Sequence, residues 1–187
     1  MHGGVENRLT VGIIGAGPLG RWLALAAARA GFSVLLEDVM PANLHHAQEF
    51  LRGELGADAL PNLAFVSTIE EAVREADLAI DCVPDELESK LEILWLLDRM
   101  APPRTVLATP TTRLSIADLA SCTYRPEKCI AIAAEASALT GGAGAREIVL
   151  RTTAKTAPGS VALVGRFWRR LGFDPRFELD EGEKGRS

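Results

Sequence analysis

An α/β fold, with a doubly wound and mostly parallel sheet between two helical layers, is predicted by three observations. A glycine-rich turn joins a short apolar run to an alanine-rich helical stretch. Short apolar runs and helix-period segments then alternate along the chain. The 187 residues are enough for one sizeable core but leave no comfortable room for a second.

The first strand is predicted over residues 9–14 and the first helix over 21–30, with Gly15-Ala16-Gly17-Pro18-Leu19-Gly20 between them. A strand, a glycine turn and a helix in that order form the dinucleotide-binding fingerprint in its required context. Gly15 lets the chain turn off the strand, Gly17 leaves room for a pyrophosphate, and Gly20 lets the helix pack close to the sheet. The helix N-terminus with its free N–H groups favours the phosphates, and Pro18 fits a first helical position because its missing N–H needs no partner there. A second strand over residues 33–37 runs into Asp38. A carboxylate about 20 residues beyond the turn accepts hydrogen bonds from the adenosine ribose. Asp38 would repel a 2′-phosphate and no arginine follows it before Arg52, so NAD(H) is expected rather than NADP(H).

A helix over 43–55 and a strand over 63–66 come next, and Thr68 with Glu71 forms a capping box for a helix running to 76. A fourth strand, 78–83, leads through Pro84 into a helix over 85–100, whose Leu87, Leu91, Leu94 and Leu97 repeat at helical spacing. Pro102-Pro103 ends it, and 106–109 reads as a fifth strand. Then follow a short helix over 115–120, a strand over 129–134 and a loop containing Gly141-Gly142-Ala143-Gly144. The last elements are a strand over 147–152, a helix over 160–171 and a strand over 176–178. The whole describes a three-layer αβα, Rossmann-type single domain of six to eight strands, the last of them antiparallel additions. Residues 1–8 are read as a leader, 9–179 as the domain and 180–187 as a polar, disordered tail.

Composition narrows the functional classes. The chain is 48% hydrophobic with a net charge of −5, and it shows no basic patch of the kind nucleic acid requires. Arg166, Arg169 and Arg170 read as one solvated helix face. No apolar stretch is long enough for a membrane span and the first residues lack a signal-peptide core. Cys82, Cys122 and Cys129 have no metal-ligand spacing, so no metal is expected. They read as reduced thiols of a cytoplasmic protein, small and half-buried rather than nucleophilic.

From residue 9 to about 178 the chain resembles the NAD-binding domain of the 3-hydroxyacyl-CoA dehydrogenases. Ala76-Asp77-Leu78-Ala79-Ile80-Asp81-Cys82-Val83-Pro84-Asp85-Glu86-Leu87-Glu88-Ser89-Lys90 is similar to that family's "ADLVVEAVxENLxxK" segment. The resemblance implies that Asp85 approaches the nicotinamide ribose and that Lys90 lies at the cofactor site. Val83, Pro84 and Thr109, at carboxyl ends of strands, join the expected cofactor residues. Leu107-Ala108-Thr109-Pro110-Thr111-Thr112-Arg113-Leu114-Ser115-Ile116 resembles "ASNTSSLxI", which puts the substrate-contacting hydroxyl on Thr112. Read without the resemblance, Asp85 is a helix N-terminal acid, Lys90 a surface lysine and Thr112 a cap for the helix that Ser115 begins.

The chain also departs from the family. Oxidising a secondary alcohol needs a base for the hydroxyl proton, and the family uses a histidine paired with a glutamate. The histidine's position in the "HFFNP" motif falls on Ala133, while Glu147 in Arg146-Glu147-Ile148-Val149 matches the paired glutamate. His2, His45 and His46 are placed away from the nicotinamide. Glu135, two residues past Ala133 on the same strand face, is a candidate substitute base. Pro110 and Arg113 replace the family's asparagine and second small hydroxyl residue, and Trp22 stands where a small residue is common. The "TPGFxxNR" segment and the helical domain that completes the family's acyl-CoA site do not follow.

Three readings stay open. One is an NAD(H)-binding protein that does not perform standard dehydrogenation alone, as a homodimer or with a separate helical partner subunit. Another is a divergent NAD-dependent oxidoreductase of a small 3-hydroxy or keto acid or acyl-CoA, with Glu135, Glu147 or a water moving the proton and Thr112 contacting substrate. The third is a ligand-free interaction module with contacts through Trp95, Leu96 or Trp168.

Overall fold

The structure is a computed structural model and describes residues 8–56, 61–140 and 146–180. Eight strands form one sheet in the order β3-β2-β1-β4-β5-β6-β7-β8. They are β1 (Thr10–Ile14), β2 (Ser33–Glu37), β3 (Leu63–Val66), β4 (Leu78–Asp81), β5 (Val106–Pro110), β6 (Cys129–Ile132), β7 (Glu147–Thr152) and β8 (Asp174–Leu179). The helices are α1 (Pro18–Arg29), α2 (Pro41–Leu55), α3 (Ile69–Val73), α4 (Leu87–Met100), α5 (Ile116–Ala120), α6 (Ala136–Thr140) and α7 (Pro158–Arg170). Strands β1 to β6 pair in parallel, β7 runs antiparallel to β6, and β8 is parallel to β7. The last two strands, β7 and β8, thus both run opposite to β1–β6, as the expected antiparallel additions.

Alternation along the strands sorts the core into two layers. Val11, Ile13, Val34 and Leu36 face α1, α2 and α7, where Leu23, Leu51, Phe167 and Trp168 meet them. Ala79, Leu107 and Ala131 face α3, α4 and α5, packing with Val73, Leu94 and Leu119. Trp168, expected as contact surface, is fully buried because α7 turns its apolar stripe to the sheet. Trp95 is 46% exposed, with the Arg99 guanidinium 4.2 Å over its ring. Trp22 packs edge-on to Phe173, at 6.0 Å between ring centres, so its bulk joins α1 to the turn before β8. Arg170 donates to the Ala30 carbonyl at 2.8 Å, which ties the basic face of α7 to the end of α1.

The glycine segment expected over 141–144 lies outside the described residues, as do residues 1–7 and 181–187. The stretch before that segment is α6, not irregular chain. Asp180, expected in the tail, is described: its N–H donates to the Thr152 carbonyl and its Oδ2 accepts from the Ile116 N–H, both at 2.7 Å. Among the described residues no helix is long and apolar enough to cross a membrane.

Candidate functional site

The strand order reverses direction between β1 and β4, since β1 connects outward to β2 and β3 while the chain later returns to lay β4 on its other side. Open α/β sheets bind ligands at such a switch point, outside the carboxyl ends of the strands. Two adjoining clefts lie there, of about 650 and 580 Å3. Gly17, Cys82, Val83 and Pro84 line both.

The glycine turn is built for close packing on one side and open space on the other. Gly15 has φ +101°, a conformation that side chains rarely adopt, and its N–H donates to the Glu37 carbonyl at 2.8 Å. A Cβ on Gly20 would lie 1.8 Å from the Gly15 carbonyl oxygen, so that residue seats α1 on the turn and takes no part in lining either cleft. A Cβ on Gly17 would meet nothing within 4 Å. Gly17 is the N-cap of α1, with Pro18 in the first turn and no side chain capping the end. The leading N–H groups of α1 are thus left for an anion.

The first cleft holds the end of β2. Asp38 Oδ2 accepts from Ala16 N at 2.9 Å and Asn43 Nδ2 at 3.1 Å, and its Oδ1 accepts from Met40 N at 2.8 Å. One carboxylate thereby fastens the glycine turn to the start of α2. Glu37, which the sequence reading treated only as a strand residue, lines the same cleft. Burial, and then the neighbouring Asp38 charge, push its carboxyl up to about 7. A carboxylate in the last place of a buried strand, directly before the expected ribose acid, was the signal that could have found it.

The second cleft is lined by Pro18, Leu19, Asp85, Thr112, Arg113 and Glu135 among others. Asp85 bridges two loops: its Oδ2 accepts from Thr112 N at 3.2 Å, and Arg113 Nη2 donates to its carbonyl at 2.9 Å. Asp85 Oδ1 is buried with no partner among the described residues, an acceptor for a ligand hydroxyl to satisfy. Ser115, not Thr112, caps α5, accepting from Asp118 N at 3.3 Å.

Three expected site residues lie elsewhere. Lys90 is buried against β4, its Nζ 2.6 Å from Asp81 Oδ1, because it lies on the face of α4 turned to the sheet, while Ser89, Glu92 and Ile93 of the same helix line the first cleft. Thr109 is also fully buried; its hydroxyl faces the Asp81 carboxylate without a hydrogen bond of normal geometry. Glu147 opens β7, exposed and paired with Arg176 at 2.9 Å, and lines neither cleft. Burial, and then the Asp81 charge, push the Cys82 thiol far above its ordinary range, which keeps it protonated in the cleft wall. His45 sits on the outer face of α2, 3.3 Å from Glu49.

An NAD molecule fits these features. The capless α1 terminus beside Gly17 would take the pyrophosphate, Asp38 the adenosine half, and the unpartnered Asp85 oxygen a hydroxyl on the other side. Comparison with known proteins agrees. Residues 10–133 match the family model described as 3-hydroxyacyl-CoA dehydrogenase, NAD binding domain. A probable 3-hydroxybutyryl-CoA dehydrogenase of Bacillus subtilis (strain 168) is 33% identical over 131 residues, covering 63% of this chain and 45% of that protein. A lambda-crystallin homolog of Bos taurus is 28% identical over 179 residues, 88% of this chain and 54% of its own length. The fold is also that of (S)-3-hydroxybutyryl-CoA dehydrogenase from Ralstonia eutropha, with a TM-score of 0.82 at 22% identity over 94% of this chain and 65% of that one. The chain spans about half the length of the two sequence relatives named. A match running from β1 to just past β6 takes in the strands that build both clefts, and the chain belongs to the 3-hydroxyacyl-CoA dehydrogenase family, whose NAD-binding domain these residues form.

Proposed function

We propose that this chain binds NAD(H) across the two clefts and, standing alone, does not carry out the family's 3-hydroxyacyl oxidation. The observation that carries the second half is Ala133. It stands at the position the resemblance gives to the proton-accepting histidine, just past β6, with its N–H donated to the Val149 carbonyl at 2.9 Å. A methyl group cannot accept the substrate's proton. Glu147, the expected partner of that histidine, is engaged by Arg176 instead. The bound cofactor would supply hydride chemistry, while the residues of this chain orient it: Asp38 and the α1 terminus from one side, Asp85 and Thr112 from the other.

The test is a titration of the purified chain with NADH, followed by an assay for NADH oxidation with acetoacetyl-CoA. Saturable NADH binding without turnover is expected. Turnover at enzyme-like rates of roughly 1–1000 per second would overturn the non-catalytic half.

One observation favours a second reading, a divergent oxidoreductase acting on a small hydroxy or keto acid or an acyl-CoA. Glu135 lines the second cleft with Asp85 and Thr112, which supports a carboxylate as proton carrier there. Its discriminating variant is Glu135→Gln, with Glu147→Gln as the comparison. NADH-dependent activity lost in the first and kept in the second supports Glu135 as the proton carrier, whereas survival of activity in both removes it.

A further inference from the structure

The first cleft contains more acid than one ribose-binding residue accounts for. A carboxylate offers about four lone-pair sites. At Asp38 three are already taken by Ala16 N, Met40 N and Asn43 Nδ2. Asp38 is therefore first a fastener of the turn, with little acceptor capacity left for a ligand.

Glu37 is placed to make up the difference. Strand alternation sends Leu36 into the core beneath α1 and turns Leu35 and Glu37 toward the α3 and α4 side. There the cleft is walled by Ile69 of α3 and by Ile93 and Leu96 of α4, apolar surfaces that leave Glu37, the adjoining Asp38 and Glu92 of α4 as its acids. Glu37 is 4% exposed. Among the described residues no side chain donates to its carboxylate; the Gly15 N–H, which donates to Glu37's own carbonyl at 2.8 Å, also opposes the rise of its pKa. A carboxylate set in an apolar cleft wall with so little hydrogen bonding from the protein is costly in the empty cleft, and a ligand donor placed against it offsets that cost. Gly17, which lines both clefts, puts the pyrophosphate between them, so the ligand group that enters this side is the adenosine.

We propose that Glu37 is a second specificity-determining carboxylate of the adenosine half: it accepts a hydrogen bond from the adenosine of NAD(H) and, with Asp38, forms a doubly acidic floor that turns away a 2′-phosphorylated nucleotide. The assignment rests on the NAD(H)-binding reading of the two clefts. Rejection follows from like charge, since a phosphate brought beside two adjacent carboxylates in a partly desolvated site meets repulsion that a ribose hydroxyl does not.

The experiment is a fluorescence titration of NADH and NADPH into the wild type, Glu37→Gln and Glu37→Leu at pH 8, where Glu37 is ionised. Melting temperatures of all three report folding. Glu37→Gln keeps an acceptor but removes the charge, so NADH affinity stays within about threefold while NADPH binding tightens by about tenfold. Glu37→Leu removes the acceptor as well, and NADH binding weakens by about tenfold. An unchanged NADH-to-NADPH preference in folded Glu37→Gln overturns the role of Glu37 and leaves the cofactor reading intact. A wild type that binds neither nucleotide overturns the cofactor reading, and the role of Glu37 with it.

Discussion

The Lys90 ammonium lies 2.6 Å from Asp81 Oδ1, and both side chains are closed to solvent, at 1% and 0% exposure. The pair joins the end of β4 to the first turns of α4 across the loop that carries Val83, Pro84 and Asp85. Burial raises the Asp81 pKa and the Lys90 charge opposes that rise, so Asp81 depends on Lys90 for its charged form. Removing one partner leaves an uncompensated buried charge.

Asp81→Leu and Lys90→Met are each expected to lower the unfolding free energy by about 3–5 kcal/mol, while the two combined recover most of the loss. Urea denaturation of the single and double variants checks this. Additive losses in the double variant would show that the two side chains are not coupled.

The glycine turn separates folding from binding in one pair of substitutions. Gly20→Ala drives a methyl into the Gly15 carbonyl, 1.8 Å away, so the turn must shift and stability falls by about 3 kcal/mol or more. Gly17 has ordinary angles, φ −68° and ψ −173°, and open space where a Cβ would stand. Gly17→Ala should then melt within a few degrees of the wild type yet lose at least about tenfold in NADH affinity, because the methyl occupies the pyrophosphate's approach. Thermal melts and NADH titrations of both variants make the comparison.

Those two glycines show why much of the fold could be read in advance. Their roles depend on neighbours a few residues away, and the strands at Ser33–Glu37, Leu63–Val66 and Glu147–Thr152 are short apolar runs closed by turn residues. Helices α1, α2 and α7 begin two or three residues before their helical periods show, each on a proline, Pro18, Pro41 or Pro158, that fits the first turn; of these the sequence marks only Pro18 as a helix start. The five residues of α6 are too few to display a helical period. The site was less legible where tertiary partners decide. Lys90 meets Asp81 in the core and Glu147 meets Arg176 from β8, partners that neither local spacing nor a segment resemblance displays.

Asp38 joins three donors on two segments, so its loss should be felt in the empty protein as well as in the complex. Asp38→Ala is expected to cost on the order of 2–4 kcal/mol of stability, since hydrogen bonds to a charged acceptor contribute more than neutral ones. A melt without ligand, followed by an NADH titration, should show both a lower midpoint and weaker binding. Weaker binding with an unchanged midpoint would mean that Asp38 serves the ligand alone.

Glu37 predicts the pH dependence of stability. Its carboxyl rises from about 4.5 to about 7 in the folded protein, through burial first and the Asp38 charge second. The folded state therefore holds this proton more tightly than the unfolded chain does. The resulting stability is fully present below about pH 4.5 and is lost progressively as pH rises to about 7, with no further change from this group above that. Glu37→Gln carries no titrating proton, so the variant should gain on the wild type by about 1–2 kcal/mol between pH 5 and pH 8. That is less than the full shift implies, because water in the open cleft screens the carboxylate. Urea denaturation at pH 5, 6, 7 and 8 measures the difference directly. Parallel profiles for the two proteins would mean that water in the cleft keeps the Glu37 carboxyl in its ordinary range.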